Sequence, residues 1–227
     1  MPGIPEENYW FRRHEAAYLA LVPYREYAVV LEAGCGEGYG ADLLAGVAHL
    51  VCGLDYDALT VSHVAKAYAE VHAVRGNLAA LPVRSSTVDV VANLQVIEHL
   101  WDQEGFLAEC HRVLRPGGRL LITTPNRLTF SPGRDTPLNP FHTRELGPAE
   151  LDFLLREAGF TVERLAGLHH GPRIDDSIIE AQVRLAVSGT PWPAELLATV
   201  AGVTSDDFVV RTDELDASLD LLAVARR

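Results

Sequence analysis

Residues 27–40 read YAVVLEAGCGEGYG, an apolar run from Tyr27 to Leu31, a glutamate at 32, then glycines at 34, 36, 38 and 40. A short β-branched run with turn residues behind it predicts a buried strand over Tyr27–Glu32. The stretch ADLLAGVA that follows has helical character, so the glycines sit on a strand-to-helix turn. In a parallel α/β sheet, ligands lie beyond the carboxyl ends of the strands, and this first turn is a natural cofactor site. Glycine lets the backbone approach a ligand and adopt dihedrals closed to other residues.

Working outward, strands are expected at His49–Asp55, Val71–Arg75 and Thr87–Leu94, with a helix over Ala58–Glu70 between the first two. Gln103–Leu114 reads as an amphipathic helix with Phe106, Leu107, Cys110, Val113 and Leu114 inward. It stops at Arg115-Pro-Gly-Gly118 and leads into the strand RLLITTP, residues 119–125. A Pro/Asn/Gly-rich loop over 125–147 is too long for a mere connector. Glu150–Ala158 is a helix, residues 159–165 a strand, residues 172–203 helical in two pieces, and Ser218–Ala225 the last strand. Upstream, Glu7–Val22 forms a helix that Pro23 stops. The expected fold is α/β, a doubly wound, Rossmann-like, seven-stranded and mostly parallel sheet with an antiparallel C-terminal hairpin and a helical insertion. One domain covers 1–227: an N-terminal helix (1–24), a cofactor-binding core (25–125), an acceptor loop (126–147) and the insertion (172–203).

Composition narrows the partners. The 227 residues are 48% hydrophobic and 22% charged, as in a soluble globular chain, and the formal net charge is −12. Nucleic acid needs a basic footprint, yet the only adjacent basic pairs are Arg12-Arg13 and Arg226-Arg227. No nucleic-acid partner is expected, nor membrane insertion, since no apolar run is long enough. Cys35, Cys52 and Cys110 form no CxxC pair and suggest neither a disulfide framework nor a zinc site. The N-terminus lacks a signal-peptide core, which makes the cytoplasm the default location. A homodimer is left open.

Glu32 says what kind of cofactor the turn takes. A carboxylate repels a pyrophosphate but suits a cofactor bearing positive charge, such as S-adenosylmethionine with its sulfonium and ammonium. Counting from Gly34, the third glycine of GxGxxG falls at Tyr39, which breaks the dinucleotide pattern. The alternative frame, Gly36-x-Gly38-x-x-Ala41, buries Glu32 and Gly34 in the strand. Asp55 ends the second strand, where an acid can accept both ribose hydroxyls. Tyr56 can cover the adenine, Asn77 read its edge and Leu78 pack on its ring. Asp55 as a helix N-cap is the competing reading, but Asp57 is better placed for it.

Glu-x-Gly-x-Gly-x-Gly, Asp55, Asn77-Leu78, Gln95-Val-Ile-Glu-His-Leu100 and Val113-Leu-Arg-Pro-Gly-Gly118 occur in the order typical of the class I S-adenosylmethionine-dependent methyltransferase superfamily, which residues 25–125 resemble. Asn77 departs from the aspartate usual there. The resemblance places Glu32, Gly34, Cys35, Gly36, Asp55, Tyr56, Asn77, Leu78 and Gln95 around the cofactor. The flanks, among them Glu7–Glu15, Trp101-Asp-Gln103 and Thr123–Glu145, look like actinobacterial methyltransferases of polymethylated polysaccharide biosynthesis. That closer likeness implies a sugar or oligosaccharide hydroxyl as acceptor. In the wider superfamily the N-terminal helix covers the cofactor, which puts Tyr9, His14 and Tyr18 near its methionine end.

An alcohol acceptor must lose its proton, and histidine is the usual base near neutral pH. His142, in a loop after the fifth strand, is the first candidate and His99 the second, with His169 and His170 behind. Each has a structural alternative as a hydrogen-bonded packing residue. Glu98 and His99 offer instead a divalent-cation site such as one for Mg2+, as in the ubiquinone-type O-methyltransferases this motif resembles. Those carry a carboxylate where Gln95 stands, and an amide is a poorer ligand for a hard cation, so a metal is not favoured. Arg127, Arg134 and Arg144 could clamp an acidic acceptor or be ordinary surface charge. Three functions stay open: a sugar O-methyltransferase, an O- or C-methyltransferase of a quinone or other natural product, and a non-catalytic binding protein.

Overall fold

In the computed structural model, which describes residues 3–25, 27–175 and 192–227, the apolar run after Tyr27 becomes strand β1, Val29–Ala33. It starts two residues later than expected, because Tyr27 takes a left-handed backbone (φ 55°) and its ring stands in solvent. β2 (Leu50–Asp55), β3 (Val71–Arg75), β4 (Val88–Leu94) and β5 (Leu114–Pro125) join it as parallel neighbours. Between β4 and β5 the pairing jumps from Val88–Leu114 to Val90–Arg119, so the Arg115-Pro-Gly-Gly segment bulges out of the ladder.

The C-terminal part keeps the expected antiparallel pair and adds a strand to it. β6 (Thr161–His170) and β8 (Asp220–Arg226) pair antiparallel, with β8 lying between β5 and β6. An eighth strand corrects the count of seven: β7 (Phe208–Arg211) pairs antiparallel with β6 at the edge, giving the order β3-β2-β1-β4-β5-β8-β6-β7. Of the helical insertion, residues 176–191 lie outside the described residues.

Helices cover both faces, and the two-residue period of the strands decides what each meets. Leu31 and Ala33 of β1 pack with Phe106 and Leu107 of α4 (Gln103–Val113) and Leu151 of α6 (Pro148–Glu157). Val30 faces the other way, toward α1 (Asn8–Leu21), α2 (Tyr39–Ala45) and α3 (Ala58–Ala67). Each fully buried side chain of this size stabilises by roughly 1.5–3 kcal/mol. A third cluster joins Tyr9, Ala16 and Ala17 of α1 to Leu168, Phe208 and Val200 of α7 (Ala194–Ala201). The loop after β5 opens with a single helical turn, α5 (Arg127–Phe130). Among the described residues, no helix is long and apolar enough to cross a membrane.

Candidate active site

The turn after β1 is tied to the end of β2. Leu54 O accepts from the amides of Gly34 (2.8 Å) and Cys35 (3.0 Å), and the Asp55 carboxylate accepts from Gly36 N (3.0 Å) and Asp57 N (2.9 Å). Asp57, as expected, caps α3 through Leu59 N and Thr60 N. Gly34 has φ 89°, and a Cβ there would lie 2.8 Å from the Val96 methyls; Gly36 has φ 49° and faces open space. Both positions therefore need glycine, one for packing and conformation, the other for conformation and clearance.

That open space is a cavity of about 380 Å3 lined by His14, Tyr18, Gly34, Cys35, Gly36, Asp55, Tyr56, Leu78 and Gln95, among others. Nine of the expected cofactor residues or their neighbours thus meet here. Burial pushes the Cys35 thiol up to about 12, so it stays neutral. Asn77 is not in the lining: its side-chain oxygen folds back on Ala79 N at 3.0 Å, an Asx turn. Only its neighbour Leu78 reaches the cavity.

Helix α1 explains two further differences. Trp10, His14 and Tyr18, spaced by four, form one stripe; Trp10 lines a second cavity, Tyr18 the first, and His14 both. Tyr9 lies off that stripe. It is fully buried against the sheet edge, with its hydroxyl 2.7 Å from His170 Nε2 and its ring on Phe208, so it does not line the cofactor cavity. Glu32 is also fully buried and accepts a hydrogen bond from Tyr18, which lines the cavity where Glu32 does not. Burial pushes its carboxyl up to about 8. Desolvation moves His14 the other way, down to about 4, leaving a neutral imidazole near neutral pH.

The second cavity, about 350 Å3, is lined by Trp10, Arg13, His14, Gln95, Glu98, His99, Pro125, Phe130, Asn139 and His142. His14 and Gln95 belong to both cavities, which makes them the junction. Gln95 holds φ 58°, an uncommon backbone for a residue without special turn chemistry and one often met at functional sites. His142 Nδ1 stands 2.6 Å from Glu145 Oε1, and Asn139 Nδ2 donates to its Nε2 at 3.0 Å. His99 Nδ1 donates to Phe141 O at 2.9 Å. Glu98 is buried, accepts from Thr124 Oγ1 at 3.0 Å, and is pushed by burial up to about 8.

The loop reaches the cavity because it is pinned to the turn after β4. Thr143 Oγ1 donates to Leu100 O (2.6 Å), its amide to Glu98 O (2.7 Å), and buried Gln103 bridges Ile97 O and Arg144 O. Asn126 anchors the loop's start through Leu215 O and Ser218 O. Glu145, Asn139, Phe130 and Trp10 are site residues that the sequence reading passed over; a His142–Glu145 spacing of three was the one available signal. His169 and His170 lie on β6 outside both cavities. Arg127, Arg134 and Arg144 line a third cavity of about 350 Å3, with Arg127 paired to Glu150 and Arg144 to Glu104.

Known proteins share the sequence and the fold of this chain. A family pattern described as "Methyltransferase domain" matches residues 31–122. Over its whole length the chain is 58% identical to a "Probable S-adenosylmethionine-dependent methyltransferase" of Mycolicibacterium smegmatis, 92% of which it covers. Across 63% of its length it is 32% identical to a ubiquinone biosynthesis O-methyltransferase of Thiobacillus denitrificans, covering 68% of that protein. A Haloferax volcanii methyltransferase solved in complex with the Trm112 methyltransferase activator shares the fold, with a TM-score of 0.69 at 19% identity over 97% of this chain and 91% of that one.

Proposed function

We propose, for a chain that belongs to the S-adenosylmethionine-dependent methyltransferases, that the acceptor is a hydroxyl of a sugar or oligosaccharide. S-adenosylmethionine is the co-substrate. In this reading Asp55 takes the ribose hydroxyls, Tyr56 and Leu78 the adenine, and the Gly34-Cys35-Gly36 turn the backbone of the cofactor. Glu32 acts through Tyr18, and His14 and Gln95 border the path of the methyl group. Asn77 shapes the adenine loop through its turn, and Tyr9 supports α1 from behind.

One observation carries the acceptor chemistry: a cavity with a basic centre opens onto the cofactor cavity at His14 and Gln95. The bond from His142 Nδ1 to Glu145 leaves Nε2 as an acceptor, a place that Asn139 Nδ2 fills and that an entering hydroxyl would take over. Nucleophilic oxygen attacks the sulfonium methyl in line, homocysteine sulfur leaves with the bonding pair, and the hydroxyl proton goes to this basic cluster, His142 first. His99 and Glu98 complete the cluster. Asn139, Gln95 and three histidines offer hydrogen-bond partners for a polyol, beside apolar walls from Trp10, Pro125 and Phe130 on which a sugar ring can lie.

The distant likeness to a ubiquinone biosynthesis O-methyltransferase favours a second reading, a quinol or related natural product. Incubation with labelled S-adenosylmethionine and a panel of partly methylated oligosaccharides and quinols separates the two. Label on a saccharide at a rate well above that on any quinol supports the sugar reading; the reverse overturns it.

A further inference from the structure

We propose that the cavity lined by Arg127, Arg134, Asp135, Arg144, Glu145 and Glu150, among others, binds a further glycosyl residue of an oligosaccharide acceptor, a role that rests on the sugar reading of the acceptor cavity. The two cavities are about 350 Å3 each and have the loop after β5 as a common wall. Phe130 lines the acceptor cavity and Ser131 the other; His142 lines the acceptor cavity and Thr143 the other. Consecutive Cα atoms stand about 3.8 Å apart, so at both places the cavities are about one residue from each other.

The lining has the balance of charge that suits a neutral polyol and not an anion. Its three arginines face three carboxylates, those of Asp135, Glu145 and Glu150. Arg127 is paired to Glu150 and Arg144 to Glu104, so no unopposed positive field is left for a phosphate or a sugar acid. A hydroxyl is donor and acceptor at once: it gives its proton to a carboxylate and accepts one from a guanidinium. Arg134, Asp135 and Thr136 put a guanidinium, a carboxylate and a hydroxyl on one exposed stretch of the wall. That stretch is held in place from below. Ser131 accepts from Leu138 N through Oγ (2.8 Å) and from Arg134 N through its carbonyl (3.3 Å), which closes the turn over residues 131–138.

Glu145 supplies a second, independent sign of a ligand. Its side chain is 1% exposed, and Oε1 stands 2.6 Å from His142 Nδ1, yet Oε2 is buried without a hydrogen-bond partner. Leaving a buried acceptor unpaired is costly, and such a group in a native fold marks a partner still to arrive. Glu145 lines this cavity and not the acceptor cavity, so the partner within its reach is a donor that enters here. One carboxylate then joins the two cavities: Oε1 fixes the tautomer of His142, and Oε2 accepts from a hydroxyl of the neighbouring sugar.

The test is calorimetry on protein loaded with S-adenosylhomocysteine, using partly methylated oligosaccharides of one to four hexose residues. Affinity is expected to rise at least about tenfold from one residue to two or more, as one or two added hydrogen bonds would give. The charge-neutral double variant Arg134→Ala with Asp135→Ala, both at exposed positions, should lose that rise while binding single hexoses as the parent does. Retained thermal stabilisation by S-adenosylhomocysteine shows that the variant is folded. No rise with length, or a rise that the variant keeps, overturns the proposal. Inorganic phosphate titrated alone should bind neither protein; phosphate binding that the variant abolishes gives the cavity to an anion and overturns it too. Methylation of sugars without a length effect sinks this site and leaves the acceptor reading standing. Length-dependent binding that the variant loses, with only quinols methylated, keeps the sugar-binding site and sinks the acceptor reading.

Discussion

The Tyr18 hydroxyl donates to the Glu32 carboxylate, so the acid of the glycine-rich turn is tied to a phenol from α1 that lines the cofactor cavity where the acid does not. Glu32 has its second oxygen, Oε2, buried without a hydrogen-bond partner. Tyr18→Phe would leave both oxygens unsatisfied. The expected cost is about 1–3 kcal/mol, the penalty for stranding a buried acceptor. Chemical denaturation measures it, and a loss below about 0.5 kcal/mol would mean that the carboxyl finds another donor.

Glu32 also sets a pH dependence. Its folded value of about 8 lies above the ordinary 4.5, with burial as the main cause and the Tyr18 hydrogen bond opposing it. Below about 4.5 the group is protonated in both states and contributes nothing. Between there and about 8 the unfolded chain loses this proton while the folded one keeps it, so rising pH costs stability, at most about 1.4 kcal/mol per unit. Above about 8 the penalty is constant. Glu32→Gln should therefore gain on the parent as pH rises from 5 to 8, in ligand-free denaturation curves. Parallel curves for the two proteins would contradict the raised value.

Gly40 is where α2 lets Tyr18 in. A Cβ built at residue 40 would overlap the Tyr18 ring and hydroxyl. Gly40→Ala should push Tyr18 off Glu32, destabilise by about 1–3 kcal/mol as overpacking does, and weaken S-adenosylhomocysteine binding. In a Tyr18→Ala background the same alanine has room. The double-mutant cycle should show strong coupling between the sites, and additivity would place the damage elsewhere.

How much of this could be read beforehand follows from the signals involved. β1, β2 and β5 announced themselves as apolar runs ended by glycine, acid or proline, β4 as an apolar run alone and β3 weakly, and each lies within two residues of expectation apart from the bulged start of β5. β7 did not, because FVVR is four residues at a sheet edge with only Phe208 buried, set among Asp206, Asp207 and Asp213. The cofactor turn was legible because glycine and acid spacing there is local. Tyr9 was misplaced because aromatic content marked α1 but not its faces. A spacing of four puts Trp10, His14 and Tyr18 on the site, while Tyr9 and Ala16 turn to the sheet. Glu145 behind His142, and His142 beside Glu98 and His99, depend on how Thr143 and Gln103 pin the loop, which no local pattern encodes.

Everything α1 brings to the two cavities depends on a contact far from the cofactor turn. Arg13 gives Asp220 two hydrogen bonds of 2.6 Å from Nε and Nη2, and a third goes from Nη2 to Leu219 O. Both side chains are buried, with 6% and 1% exposure. Asp220 starts β8, which the antiparallel ladders to β5 and β6 hold rigid, so the pair fixes α1 to the sheet's centre. Asp220→Ala leaves a buried guanidinium without its counter-ion, a loss of about 3–5 kcal/mol. Since Trp10, His14 and Tyr18 lie on the same helix, the variant should also lose affinity for S-adenosylhomocysteine although Asp220 lines neither cavity. Replacing both partners by apolar residues of similar size, Arg13→Met with Asp220→Leu, should recover most of the stability. Recovery of stability together with cofactor affinity would show that the pair acts by anchoring α1. Stability without affinity would instead give the Arg13 charge, which lines the acceptor cavity, a direct part in binding.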